Sequence, residues 1–201
     1  MIRVLLADDQ ALVLGALAAL LDLEPDIDVV AQVASGALVV DAAGENRADV
    51  CLLDVQMPGM DGIEAAAAVR AALPACKVLM VTTFDRPGYL RRALAAGAAG
   101  YVVKDIPADE LAAAVRAVHA GRRVVDPGLA TESLLDGENP LTQREQELLR
   151  LAGAGLAVAK IAGTVHLSAG TVRNHLSSAI GKTGSSNRIE AARTAISRGW
   201  L

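Results

Sequence analysis

The chain has no apolar run approaching the roughly 18 consecutive residues needed to cross a bilayer, because Asp, Glu or Arg interrupts every hydrophobic stretch. A membrane-spanning reading is therefore excluded. The opening Met1-Ile2-Arg3-Val4-Leu5-Leu6-Ala7-Asp8 reaches an acid too soon for a secretion signal, so a cytoplasmic protein is expected. Cysteine is scarce. Cys51 and Cys76 fall in predicted buried strands without CxxC spacing, which reads as two inert core thiols rather than a disulfide or a metal site. No internal repeat occurs, and no low-complexity tract beyond alanine-rich helices.

What is present points to two modules. The 201 residues, 53% of them hydrophobic, are enough for two domains that each bury a modest core. Charge is unevenly distributed. Residues 1–120 carry nine Lys or Arg against sixteen Asp or Glu, whereas residues 138–201 carry eight against four. An acidic module joined to a basic one suggests that the second meets nucleic acid, and the small basic excess implies a modest, salt-sensitive affinity.

The organising stretch is Val50-Cys51-Leu52-Leu53-Asp54-Val55-Gln56-Met57-Pro58-Gly59-Met60-Asp61-Gly62. Its uninterrupted apolar run suits a central parallel strand buried on both faces, and it stops at a carboxylate where open α/β sheets place their ligands. Around it, strands are predicted over 2–7, 29–34, 50–54, 77–82 and 99–103, alternating with helices over 11–23, 35–45, 63–73, 86–96 and 107–120. Five such units imply a doubly wound parallel sheet in the order 2-1-3-4-5, occupying residues 1–121. Residues 122–139 have the composition of a linker, with one short helix possible from Asp126-Pro127 to Leu134. Only helical patterns follow, over 142–152, 157–164, 168–182 and 187–198, which makes residues 140–201 a small all-α helix-turn-helix domain of four helices.

In that topology Asp8 and Asp9, at the end of the first strand, converge with Asp54. Three carboxylates in one crevice repel one another, and Mg2+ resolves the repulsion. A metal-bound aspartate is a competent nucleophile for phosphoryl transfer. Thr82 and Lys104, at the ends of the fourth and fifth strands, bring a hydroxyl and an ammonium suited to phosphoryl oxygens. Asp61 and Asp85 read as turn residues.

Taken jointly, Asp8-Asp9, Asp54 with the Met57–Gly62 turn behind it, Thr82 and Tyr101-Val102-Val103-Lys104 resemble the receiver domain of two-component response regulators. The resemblance implies that Asp54 accepts a phosphoryl group from a sensor histidine kinase. It implies that Asp9 and Asp54 ligate Mg2+ directly, Asp8 through water and Gln56 through its backbone carbonyl. It also implies a switch in which Thr82 moves toward the phosphoryl group and Tyr101 turns inward. The loop Thr83–Tyr89 looks closest to the regulators that control lipid desaturation genes.

In the helical module, Thr142 and Glu145 form a capping-box signature, and Ser168 is suited to cap the longest helix. On that helix Val172, Leu176, Ala179 and Ile180 repeat at helical spacing as a buried face, leaving Gly170, Arg173, Asn174, Ser177 and Gly181 exposed. Arg173 and Asn174 suit guanine and adenine edges, and Thr171, His175 and Ser177 can reach phosphates. Leu141-Thr142-x-Arg144-Glu145, Thr171–Leu176, Asn187-Arg188-x-Glu190-Ala191 and Gly199-Trp200 resemble the LuxR-type, or NarL-type, DNA-binding domain. This implies that Arg173, Asn174 and Ser177 face the major groove of promoter DNA, and that a last helix with Ile189, Ala192 and Ile196 pairs two domains on a palindrome. Ser177, Gly181 and Thr183 depart from the usual pattern and predict weak DNA binding by the isolated domain. Trp200 reads as a core anchor.

The sequence thus predicts a transcriptional response regulator, not an enzyme, that forms a homodimer when phosphorylated, with Leu14, Leu17, Ala113 and Val118 on the first and fifth receiver helices as candidate dimer contacts. Two rival functions fit part of the pattern. A haloacid dehalogenase phosphatase needs a second acid two residues after the nucleophile, where Gln56 stands. A phosphorelay adaptor whose helical module binds protein instead of DNA would leave no promoter footprint.

Overall fold

The computed structural model describes residues 1–83, 87–135 and 139–201. The chain divides into two compact units, the first ending at Thr131 and the second taking the residues after it together with the short stretch ending at Tyr89.

The first unit is built on β1 (Ile2–Ala7), β2 (Ile27–Val33), β3 (Val50–Leu53), β4 (Lys77–Thr82), β5 (Gly100–Val103) and β6 (Val124–Val125), which run parallel in the order β2-β1-β3-β4-β5-β6. The predicted order therefore holds, with a sixth strand added. Val124-Val125 is too short to announce itself by periodicity, and its position at the sheet edge is fixed by pairing with Gly100 and Tyr101. Residues 122–131, which read as linker, thus belong to the first unit. α6 (Pro127–Leu135) follows, as expected from Asp126-Pro127.

The connecting helices are α1 (Ala11–Leu21), α2 (Val39–Glu45), α3 (Gly62–Ala72), α4 (Pro87–Ala96) and α5 (Ala108–His119). Phe84, Asp85 and Arg86 of the loop compared with the lipid-desaturation regulators lie outside the described residues. Asp61 is more than a turn residue: it caps α3 in a capping box with Glu64. Ser35 caps a 3-10 turn, Gly36–Leu38, ahead of α2 instead of one continuous helix. Pro107 sits one position earlier than predicted, at the N-cap of α5.

Every residue of β3 is buried, as the unalternating run required. Val4, Leu6, Val50, Leu52, Leu79 and Val81 pack with Leu14, Ala18 and Leu21 of α1 and Leu111, Val115 and Val118 of α5. The alternate residues Leu5, Cys51, Leu53 and Met80 are buried on the opposite face, where α2 and α3 meet the sheet.

The second unit contains α7 (Gln143–Gly153), α8 (Val158–Thr164), α9 (Ala169–Thr183) and α10 (Arg188–Ser197). Its core gathers Leu148, Leu149, Ile161, Val172, Leu176, Ala191 and Trp200. Each fully buried leucine contributes about 1.5–3 kcal/mol, which a domain this small needs. Trp200 is buried as expected, and its backbone carbonyl accepts from Asn139 Nδ2 at 3.0 Å.

Candidate functional site

The first candidate site lies at the carboxyl ends of β1, β3, β4 and β5. β1 ends at Ala7 and β3 at Leu53, in direct register, so the residues that follow them leave the sheet side by side. Asp54 N–H donates to Ala7 O at 2.9 Å and Asp8 N–H to Val33 O at 3.1 Å, which fixes both backbones as continuations of the ladder. One carboxylate oxygen from each of Asp8, Asp9 and Asp54 lies within 4.8 Å of the others. Asp8 and Asp54 are almost completely buried and Asp9 is exposed, so the cluster opens to solvent on one side.

Lys104 arrives from the end of β5. Its Nζ lies 2.5 Å from Asp8 Oδ2 and 3.2 Å from Asp54 Oδ1, with only 8% of its side chain exposed. Its amide donates to Thr82 O at 2.8 Å, so the ends of β4 and β5 hold the hydroxyl and the ammonium in one place. Thr82 is fully buried. Lys104 Nζ is thus ion-paired to both buried carboxylates at once. Burial pushes the Asp54 carboxyl above its ordinary value, while Lys104 opposes the shift and Asp8 adds to it. One ammonium against two buried carboxylates leaves net negative charge in a crevice that an oxygen-seeking divalent cation fits.

The turn behind Asp54 is shaped by backbone constraints. Gly59 takes φ +79°, the left-handed region that favours glycine. At Gly62 a Cβ would lie 1.8 Å from the Asp54 carbonyl oxygen, so α3 can begin this close to the cluster only without a side chain there. Gln56 lies on the exposed side of the turn, two residues after Asp54. Tyr101 is fully buried in β5, paired in register with Met80. A pocket of about 210 Å³ lined by Thr83, Val103, Lys104 and Asp105 adjoins the cluster.

The second candidate site is the outer face of α9. Ser168 accepts from Thr171 N–H at 3.0 Å and caps the helix, and Gly184 ends it with φ +64°. Val172, Leu176 and Ala179 are buried and Ile180 is half-buried, while Arg173, Asn174 and Ser177 are exposed and Thr171 and His175 are half-buried. Thr183, unusual for a buried position, satisfies its hydroxyl by donating to Ala179 O at 2.9 Å.

One arrangement escaped the sequence reading. Glu145 completes the predicted capping box with Thr142, and its carboxylate also accepts from Ser178 at 2.7 Å and Lys182 at 2.8 Å, both on α9. Burial opposes its charge, but the hydrogen bonds from Lys182, Ser178 and Thr142 outweigh that and hold the pKa at about 2. The signal was present as Ser178 and Lys182 one helical turn apart, but nothing local ties that pair to Glu145.

Several candidate dimer contacts are core residues instead. Leu14 and Val118 lie in the sheet core, and Ala192 is 1% exposed in the helical core. Each lies on the inward stripe of its helix and packs into its own domain's core. Leu17 is half-buried, whereas Ala113, Ile196 and, on α1, Leu12 and Leu20 are exposed.

Comparison with known proteins agrees with both halves. Residues 4–116 match the response regulator receiver domain, and residues 139–195 match the bacterial regulatory proteins of the luxR family. The chain is 43% identical to the transcriptional regulatory protein DesR of Bacillus subtilis over the full length of both chains. It is 38% identical to the response regulator RamR of Streptomyces coelicolor, covering all of this chain and 98% of the relative. Among solved structures, the response regulator ChrA of a heme-sensing two-component system aligns with a TM-score of 0.60 and 35% identity, over 100% of this chain and 98% of the other. RcsB in its DNA complex aligns with a TM-score of 0.70 and 25% identity, over 98% of each. A strand-end acidic cluster and a capped helix with a polar outer face thus belong to one design, and the chain is a member of the two-component response regulators that join a receiver to a LuxR-type DNA-binding domain.

Proposed function

We propose that Asp54 is the phosphoryl acceptor of this transcriptional regulator and that its modification controls how two copies bind promoter DNA. The observation that carries the reading is the Asp8–Asp9–Asp54 cluster bridged by Lys104 at the strand ends. A carboxylate oxygen of Asp54 attacks phosphorus as the bond to the donor imidazole of a sensor histidine kinase breaks, and the imidazole leaves. Mg2+, when held by Asp8, Asp9, Asp54 and the Gln56 carbonyl, supplies neutralising charge on the incoming oxygens. Lys104 exchanges its carboxylate partners for a phosphoryl oxygen, and the Thr82 hydroxyl donates to another. With Thr82 engaged, buried Tyr101 holds the altered packing between β4 and β5.

The readout is DNA binding by a homodimer in the cytoplasm. Arg173 and Asn174 read base edges, and Thr171 and Ser177 contact phosphates, with two α9 helices one helical turn apart. The exposed Leu12, Leu20 and Ala113 of the receiver and Ile196 of α10 are the contacts available to pair two copies. No described helix is long and apolar enough to cross a membrane.

Acetyl phosphate with Mg2+ should add about 80 Da to wild type and nothing to Asp54→Ala. Genome-wide footprinting of the two proteins should then give occupied sites that depend on Asp54. Absence of labelling under conditions that label a known receiver, or equal occupancy by both proteins, overturns the proposal.

A further inference from the structure

The two cysteines, distant in sequence, are neighbours in the fold. Cys51 lies in the middle of β3, three residues before Asp54, and Cys76 lies one residue ahead of β4. Cys51 is in register with Val78, and the two-residue period of a strand puts Cys76 on the same face of the sheet. The sulfurs are 3.5 Å apart and both cysteines are free. A disulfide needs about 2.05 Å, so closure asks for an approach of about 1.5 Å beside the Pro74–Ala75 turn.

Access is unequal. Cys51 is sealed at 0% exposure, whereas Cys76, at 9%, lines a pocket of about 320 Å³ at the amino ends of the strands, away from the Asp54 crevice. Arg70, Lys77 and Arg123 line the same pocket, and none of the three is ion-paired among the described residues. The hydrogen bond with Cys51 holds the Cys76 thiol below the ordinary cysteine value, with help from Lys77, against burial and the charge of Asp49. The Cys76 thiol also donates to Lys77 O at 3.8 Å, and its sulfur lines the pocket 3.5 Å from a sealed second thiol, the arrangement of an attacked cysteine and its resolving partner.

We propose that Cys51 and Cys76 form a reversible intramolecular disulfide when a hydroperoxide enters this pocket, tying β3 to the turn that feeds β4. The Cys76 thiolate attacks the peroxide, the O–O bond breaks, and Cys76 becomes a sulfenic acid as hydroxide leaves and is protonated to water. Cys51 Sγ then attacks Cys76 Sγ, loses its proton and expels the sulfenic oxygen as a second water. Two thiols are oxidised by two electrons and one hydrogen peroxide is reduced to two waters. The inference does not depend on phosphorylation at Asp54.

The full-length reduced protein is treated with hydrogen peroxide, then denatured and alkylated, with intact mass and peptide mapping as readouts. The expected result is loss of both alkylatable thiols, a mass lower by about 2 Da before alkylation, a Cys51–Cys76 linked peptide, and full recovery with dithiothreitol. Cys51→Ala should stop at a sulfenic acid on Cys76 that dimedone traps, and Cys76→Ala should leave Cys51 reduced at the same dose. If Cys51→Ala does not fold, Cys51→Ser replaces it, and the wild-type linkage map stands alone. Wild type that stays fully reduced, that accumulates sulfinic acid on Cys76 with Cys51 still alkylatable, or that forms only intermolecular links overturns the proposal.

Discussion

Replacing Glu145 by Gln removes a buried charge without changing side-chain size, and it tests how the candidate DNA-reading helix is held. Glu145 is 3% exposed and accepts from Ser178, Lys182 and the Thr142 amide. Its pKa lies at about 2 against an ordinary 4.5. At about 1.36 kcal/mol per unit this favours the charged form by about 3 kcal/mol, and because Lys182 is 34% exposed we discount the expected loss to about 2 kcal/mol. For a domain of this size that lowers the melting midpoint by about 10 °C at neutral pH. Trp200, the single tryptophan of the chain, is buried in the same core, so its fluorescence reports this unit selectively. A carboxylate whose folded pKa is depressed stabilises fully above its unfolded value, and the contribution fades as pH falls through the folded value. The gap between wild type and Glu145→Gln should therefore be complete above pH 4.5, shrink to about half near pH 3, and close toward pH 2. A Trp200 transition that moves by less than about 2 °C at neutral pH, or a gap that is constant down to acid, would refute the reasoning.

Lys104→Met leaves two buried carboxylates without a countercharge, so the receiver should lose about 3–5 kcal/mol in Mg2+-free buffer and regain more on adding Mg2+ than wild type does, measured by calorimetry. An unchanged Mg2+-free midpoint would show that Lys104 does not balance the pair. Gly62→Ala forces a Cβ against the Asp54 carbonyl and should destabilise the receiver by about 3 kcal/mol or more while impairing acetyl phosphate labelling; wild-type behaviour in both assays would mean that the turn yields freely. Arg173→Ala should weaken binding to a footprinted promoter by about 5- to 150-fold with the Trp200 transition unmoved, read by fluorescence anisotropy against a scrambled duplex.

Much of this protein was determined locally. A short unbroken apolar run ending in Asp54 and followed by a Pro-Gly turn suits a doubly buried strand, and Asp8-Asp9 closes a second strand in the same manner, so the sheet order and the acidic cluster followed from pattern and topology. The caps at Thr142 and Ser168 and the exposed stripe of α9 are likewise short-range consequences of helical geometry. Tertiary packing decided the rest. Periodicity assigns a residue to the apolar side of a helix but not to core or partner, which is why Leu14, Val118 and Ala192 looked available and are packed in the core. A two-residue strand such as β6 has no period to read and exists only because β5 offers it hydrogen bonds. Lys104 between Asp8 and Asp54, Glu145 beneath Ser178 and Lys182, and Cys51 against Cys76 each join residues 25 to 96 positions apart. Strand ends announced that Lys104 would reach the acidic crevice, but which atoms pair there, and the Glu145 and Cys51 contacts altogether, depend on how strands and helices stack in space.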